Sequence, residues 1–143
     1  MPPAAEEVSL QPVARTEKTL TPVGCIALRC GERVAHHRHA DIGINIAQSY
    51  QGKGYGTEAI EWITEWGFRH GNLHRIEIGA FAWNEGAVRL YQRLGFVIEG
   101  RKREFAWHDG QYRDVVELAM LDREWRERQR KEQEEVVAAS EAV

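Results

Sequence analysis

The sequence predicts an α/β domain of the α+β kind, with the order β-β-α-β-α-β-β and no internal repeat. Three observations carry that prediction. Strict two-residue alternation (Ile42, Ile44 and Ile46; Ile76, Ile78 and Ala80) marks strands, and apolar residues at three- and four-residue spacing mark helices between them. The 143 residues suit one domain of ~100–200 residues. Hydrophobic residues make up 43% and charged residues 29%, close to the soluble average, so a packed core is expected.

Residues 1–22 hold all four prolines (Pro2, Pro3, Pro12 and Pro22) and lack periodicity, so they read as an irregular arm. A domain over 23–125 and a charged helical tail over 126–143 follow. VGCIALRC (23–30) is the first expected strand. The polar loop GERVAHHRH leads from it, with a hairpin turn near Gly31-Glu32-Arg33, to a second strand over 40–47. A helix is expected from about Thr57 to Arg69, with Ala59, Trp62, Ile63 and Trp66 as its apolar face, ended by Gly71-Asn72. Residues 75–83 return to strand. Asn84 suits the N-cap of a second helix whose inner face is Ala87, Leu90, Tyr91 and Leu94, closed by Gly95. Phe96-Val97-Ile98 opens another strand, Asp109-Gly110 marks a hairpin, and VVELAML (115–121) pairs back. WRERQRKEQEE then reads as an exposed helix.

Nineteen basic against 22 acidic residues give a net charge of −3, which argues against a general nucleic-acid binder. No apolar run approaches the ~18 residues of a membrane span, and the amino terminus lacks the basic-then-apolar order of a secretory signal. The expected setting is cytoplasmic, without a membrane partner. Cys25 and Cys30, five apart, would face opposite ways on a strand and stay reduced. His36, His37 and His39 match no metal-ligand spacing, so no metal is expected. The five tryptophans read most simply as core.

Gln51-Gly52-Lys53-Gly54-Tyr55-Gly56-Thr57 lies between a strand and a helix, which is a physical recipe for holding phosphate. Helix starts leave backbone N–H groups unpaired, and glycines let an anion approach them. A nucleoside-triphosphate loop would need Ser or Thr after the lysine, but Lys53 is followed by Gly54. A dinucleotide loop would need GxGxxG, but residues 52–56 read GxGxG.

QGKGYG fits [RQ]-x-x-G-x-[GA] as it stands in the GCN5-related N-acetyltransferases, and NEGAVRLYQRLGF (84–96) resembles that family's Asn-led helix with Tyr in its third turn. GRKREFAWHDGQYRDVVELAMLDREW (100–125) resembles the closing hairpin of the subgroup with ribosomal-protein alanine and diamine acetyltransferases. The resemblance implies a mixed, mostly antiparallel sheet flanked by helices and splayed between strands 40–47 and 75–82, the acyl-CoA N-acyltransferase fold. Acetyl-CoA would lie in the gap as co-substrate, and an acetyl group would pass to a primary amine, small molecule or peptide, in a ternary complex.

The amides of Gly52, Lys53, Gly54, Tyr55, Gly56 and Thr57 would hold the pyrophosphate, with side-chain help from Gln51 and Lys53. Lys53 fits a solvated loop charge equally. The backbone at Ile46 and Ala47 would bind the pantetheine arm, and Asn84 would be both cap and cofactor partner. Tyr91 matches the family's general acid, although its position alone also suits a core aromatic. Asp41 matches a family position that often carries a Glu base and would act directly or through water. The family usually opens with a strand and one or two helices, for which residues 1–22 leave little room, so most of that module is expected to be absent. An uncovered sheet edge would then favour a homodimer. The alternative reading is a catalytically idle CoA-binding or scaffold protein.

Overall fold

The computed structural model describes residues 20–143; the arm expected over 1–22 thus lies almost wholly outside the described residues. Five strands form one sheet in the order β1-β2-β3-β5-β4: β1 Gly24–Arg29, β2 His39–Ile46, β3 Arg75–Phe81, β4 Val97–His108 and β5 Gln111–Leu121. Two α-helices connect strands, α1 Tyr55–Arg69 and α2 Glu85–Arg93, and a third, α3 Asp122–Glu141, follows β5. Only β2 and β3 pair in parallel; the other neighbours are antiparallel. The mixed, mostly antiparallel sheet and the predicted element order are both present.

The core forms on one face of the sheet. Ile42, Ile76, Ile78, Leu118 and Met120 point there and meet Ile60, Ile63 and Phe68 of α1, Tyr91 and Leu94 beside α2, and Trp125 of α3. Fully burying one such aliphatic side chain is worth ~1.5–3 kcal/mol. The alternate positions carry charge instead: Arg29 pairs with Asp41, Arg75 with Glu77 and Glu99, and Lys102 with Glu117. Period-two alternation therefore separates an apolar face from a salt-bridged one.

The inward face of α1 differs from expectation. Ile60, Ile63, Thr64, Gly67 and Phe68 are buried, whereas Trp62 is 62% exposed and Trp66 46%. Both stripes have helical spacing and share Ile63, so periodicity alone does not choose between them. Gly67 does. A Cβ there would lie 2.9 Å from Cδ1 of Ile76 and 3.2 Å from Cδ1 of Leu28, so the helix presses onto the sheet where it has no side chain. Gly67→Val should cost about 2 kcal/mol by overpacking this contact, measured as a fall in the urea midpoint.

The tryptophans also depart from the expected core role. Trp125 is buried, but Trp83 and Trp107, like Trp62 and Trp66, are exposed. Trp83 stacks with Phe81 and His108, and Trp107 packs edge-on against Tyr112, so these rings cluster at the β4–β5 hairpin tip instead of inside. α1 starts at Tyr55, two residues before the expected start, and the 31–39 loop contains a short 3-10 helix, Glu32–His37. β4 is one long strand with irregularities between Ile98 and Gly100 and between Lys102 and Ala106. The hairpin turn is Asp109-Gly110 at φ 50° and 72°, the left-handed pair that a two-residue turn demands. Cys25 and Cys30 are free and exposed. No described helix is long and apolar enough to cross a membrane.

Candidate active site: a cleft where two strands part

β2 and β3 pair only from His39↔Arg75 to Ile42↔Ile78, although β2 continues to Ile46 and β3 to Phe81. Beyond that point each strand stays with its antiparallel partner. Gly24 pairs with Ile46 on one side, and Phe81 with Val115 on the other. The sheet therefore opens between β2 and β3, as expected. Because these strands are parallel, the helices that follow them both start at the carboxyl end of the gap, where α/β sheets bind ligands. A cavity of about 580 Å³ occupies this place, within the usual range for small-molecule sites.

The loop that enters α1 has the shape its glycines suggest. Gly52 (φ 72°) and Gly54 (φ 85°) are both left-handed, and an ideal Cβ on either would meet no protein atom within 4 Å. Backbone conformation requires glycine at both, and the space beside them is open. Gly54 is the N-cap and offers no side chain. The first intrahelical bond is Glu58 N–H to the Gly54 carbonyl, so the amides of Tyr55, Gly56 and Thr57 precede the helical ladder and remain available to an anion.

On the opposite wall, Asn84 caps α2 by accepting the Ala87 N–H at 3.2 Å on Oδ1, which leaves its amide nitrogen to donate elsewhere. Tyr91, two turns further on, lines the cleft and is only 7% exposed. Burial pushes its phenol above the ordinary value, so it remains a neutral proton donor.

Ile46, Gln51, Gly52, Gly54, Tyr55, Gly56, Thr57, Asn84 and Tyr91 all line this cavity. Three other sequence candidates have different surroundings. The Lys53 ammonium sits 5.6 Å from the centre of the Tyr50 ring, a cation–π contact. The Ala47 amide donates to the Val23 carbonyl at 2.8 Å and is thus already used. In an antiparallel ladder backbone groups alternate sides, so Ile46 and Ile44 turn theirs toward the gap. The Ile46 carbonyl accepts from Gln51 Nε2 at 2.9 Å, so Gln51 ties the loop to the strand end.

Asp41 stands one residue before the divergence, on the salt-bridged face, with its carboxylate accepting from Arg29 Nε at 2.8 Å. It is not part of the cavity wall. The sheet separates it from Tyr91, so a molecule held from the helical side and one approaching from the charged side would meet in the gap.

Sequence reasoning did not single out Ile44, Tyr50, Gly86, Leu90 and Arg93, which also line the cleft. Gly86, Leu90 and Arg93 follow helical spacing, and that spacing was the available signal. Arg93 brings a positive charge to the cavity wall, where Lys53 does not. Open glycine flanks, uncapped amides and a nearby guanidinium suit a phosphate-bearing ligand; the residues present fit CoA. Among the described residues no group of three or more His, Cys, Asp or Glu could hold a metal ion.

Residues 5–96 match the model of the Acetyltransferase (GNAT) family. That match begins within the stretch read as an arm. Spermidine N(1)-acetyltransferase of Escherichia coli K12 is 33% identical over 89 residues, covering 62% of this chain and 48% of that protein. The putative ribosomal N-acetyltransferase YdaF of Bacillus subtilis is 34% identical over 102 residues, covering 71% and 55%. Among solved structures, the spermidine/spermine N-acetyltransferase SpeG of Vibrio cholerae superposes with a TM-score of 0.69 at 34% identity, covering 74% of this chain and 61% of that one. The chain spans about half the length of the curated relatives it matches.

Proposed function

The chain belongs to the acetyltransferase (GNAT) family, and from that premise we propose that it transfers an acetyl group from acetyl-CoA to a primary amine by direct attack in a ternary complex. The observation that carries this reading is the convergence of the two left-handed glycines Gly52 and Gly54, the first turn of α1 (Tyr55, Gly56 and Thr57), Asn84 and Tyr91 on one cleft. Acetyl-CoA supplies a thioester carbonyl open to attack by a neutral amine. Amides of the loop and of the first turn of α1 hold its pyrophosphate, with Arg93 adding charge. Backbone groups of Ile44 and Ile46 align the pantetheine arm, and a strand amide at the gap polarises the carbonyl. Tyr91 gives its proton to the departing thiolate; an ordinary phenol pKa of ~10 is close to that of an alkyl thiol. The acceptor enters from the charged face, and Asp41 takes the amine proton through a water.

The named acceptors of the relatives, spermidine and ribosomal-protein alanine, both present a primary amine, and that class is proposed here. The test is thiol release from acetyl-CoA with a panel of polyamines, amino-terminal peptides and small amines. Turnover with any of them supports the enzyme; tight CoA binding without turnover for all supports a CoA-binding scaffold instead.

Asp41→Asn tests the base. An ammonium acceptor must lose its proton before attack, so removing a base should lower kcat/KM about tenfold near pH 7, with the loss shrinking as pH rises toward the amine's own value. A loss that stays constant with pH would leave Asp41 as the ion-pair partner of Arg29 alone.

A further inference from the structure

The charged face of the sheet has its own relief beside the gap. On β3, Glu77, Gly79 and Phe81 alternate with the buried Ile76, Ile78 and Ala80, and on β2, Asp41, Gly43 and Asn45 alternate with the core residues Ile42 and Ile44. Ile42↔Ile78 is the last pair before the strands part, so Gly43 and Gly79 stand on either side of the opening. Neither has a positive φ, so backbone conformation does not call for glycine at either position. A strand glycine without that need is one mark of a close approach by a ligand. A Cβ on Gly43 would lie 3.2 Å from Arg29 Cζ, and one on Gly79 3.3 Å from Val115 Cγ1. Side chains of the flanking strands thus reach the edge of the gap, and larger residues at 43 and 79 would crowd it.

A platform of rings lies just past Gly79. Phe81, two residues or ~7 Å further along β3, stacks with Trp83 at 5.7 Å and 9° between planes, and with His108 at 5.1 Å and 22°. Trp83 and His108 are 5.8 Å apart. Trp83 is 56% exposed and the other two rings are half-buried, so the platform is open to an incoming molecule. The carboxylates on this face of β2, β3 and β5 already have cations among the described residues: Asp41 holds Arg29, Glu77 holds Arg75 and Glu117 holds Lys102.

From this juxtaposition we infer that the acceptor is a primary amine with an aryl ring two or three carbons from its nitrogen, selected by Phe81, Trp83 and His108. This rests on the acetyl-transfer reading above. The amine enters between Gly43 and Gly79, and its ring lies on the platform, a distance that the short carbon chain spans. Aromatic pairs gain from their geometry as well as from buried area, which a small alkylamine cannot match. A polyamine's further charges would meet carboxylates that are already paired. A free arylalkylamine and an amino-terminal Phe of a peptide both carry this unit.

The experiment measures thiol release from acetyl-CoA by the full chain with phenethylamine, a Phe-initiated peptide, ethylamine and spermidine. Phenethylamine or the peptide should exceed both ethylamine and spermidine about tenfold in kcat/KM, and the better of the two identifies the source of the ring. Trp83→Ala should reduce that advantage to about twofold, through KM more than kcat, while Trp83→Phe should preserve most of it. Trp107→Ala removes an exposed ring that packs on Tyr112 instead, and should preserve all of it. A binding measurement is independent of turnover: phenethylammonium at about 10 mM should shift the Trp83 indole NMR signal of the CoA-loaded protein, and ethylammonium should not. Preference for spermidine, or an aryl advantage untouched by Trp83→Ala, would overturn the inference and leave acetyl transfer standing. Binding at Trp83 without turnover of any amine would support the platform and overturn acetyl transfer; neither binding nor turnover would overturn both.

Discussion

Gly54→Val should weaken acetyl-CoA binding by about 100-fold or more, measured by calorimetry. Gly54 sits at φ 85°, where a β-branched residue is strained by ~1–3 kcal/mol, and relief of that strain would swing the loop amides out of line. Each charge-assisted hydrogen bond lost from a phosphate is worth a further ~1.5–3 kcal/mol, and about 2.7 kcal/mol is already 100-fold. Protein atoms do not object to the new side chain, since nothing lies within 4 Å of an ideal Cβ there. It is the bound phosphate that would. The backbone strain costs the fold no more than ~1–3 kcal/mol, so the variant should still fold, and a melting curve run alongside separates lost binding from lost fold. Unchanged affinity would remove the phosphate-cradle assignment altogether.

Tyr91→Phe should lower kcat by about 100-fold while leaving acetyl-CoA affinity within about twofold. The ring still fills its place beside Phe96, so the cleft keeps its shape and only the proton is missing. The pH profile adds an independent check. Burial raises the Tyr91 pKa, so the proton-bearing form, the one that can act as acid, persists beyond the ordinary ~10. Activity should then climb with pH as the acceptor amine loses its proton, and turn down through Tyr91 only above about pH 10. The same sign applies to folding. The native state holds this proton more tightly than the unfolded chain, so the contribution to stability is complete below about pH 10 and is lost as pH rises through the native value. Full activity in Tyr91→Phe would reduce Tyr91 to a packing residue.

The parts of this protein that were legible in its residues are those set by neighbours in the chain. Asp109-Gly110 forms the left-handed pair expected of a two-residue hairpin, and Asn84 caps α2 by accepting the Ala87 N–H. The alternation in Ile76, Ile78 and Ala80 marks a strand whose three side chains are all buried. The parting of β2 and β3 was expected from the family resemblance alone, since no local feature of either strand announces where pairing stops.

Illegible features depend on which surfaces meet. The Trp62/Trp66 stripe and the Ile60/Thr64/Phe68 stripe have the same period, and the close approach at Gly67 turns the second one inward. Lys53 follows the first loop glycine in sequence, yet its ammonium lies over Tyr50, while Arg93, forty residues away, supplies the cleft with its cation. The Ala47 amide is used by the Val23 carbonyl just ahead of β1, a commitment no spacing rule reveals.

Composition, period and turn chemistry by themselves determined the class of domain, the order of its elements, the glycine loop and the Asn84–Tyr91 helix, because each is decided by interactions within a few residues. Only the tertiary structure decided which face of α1 is buried, which charge reaches the cleft and which rings gather beside it. Those outcomes follow from close packing between segments distant in sequence, where the fit of one glycine or the pull of one partner strand breaks a tie that local pattern leaves even.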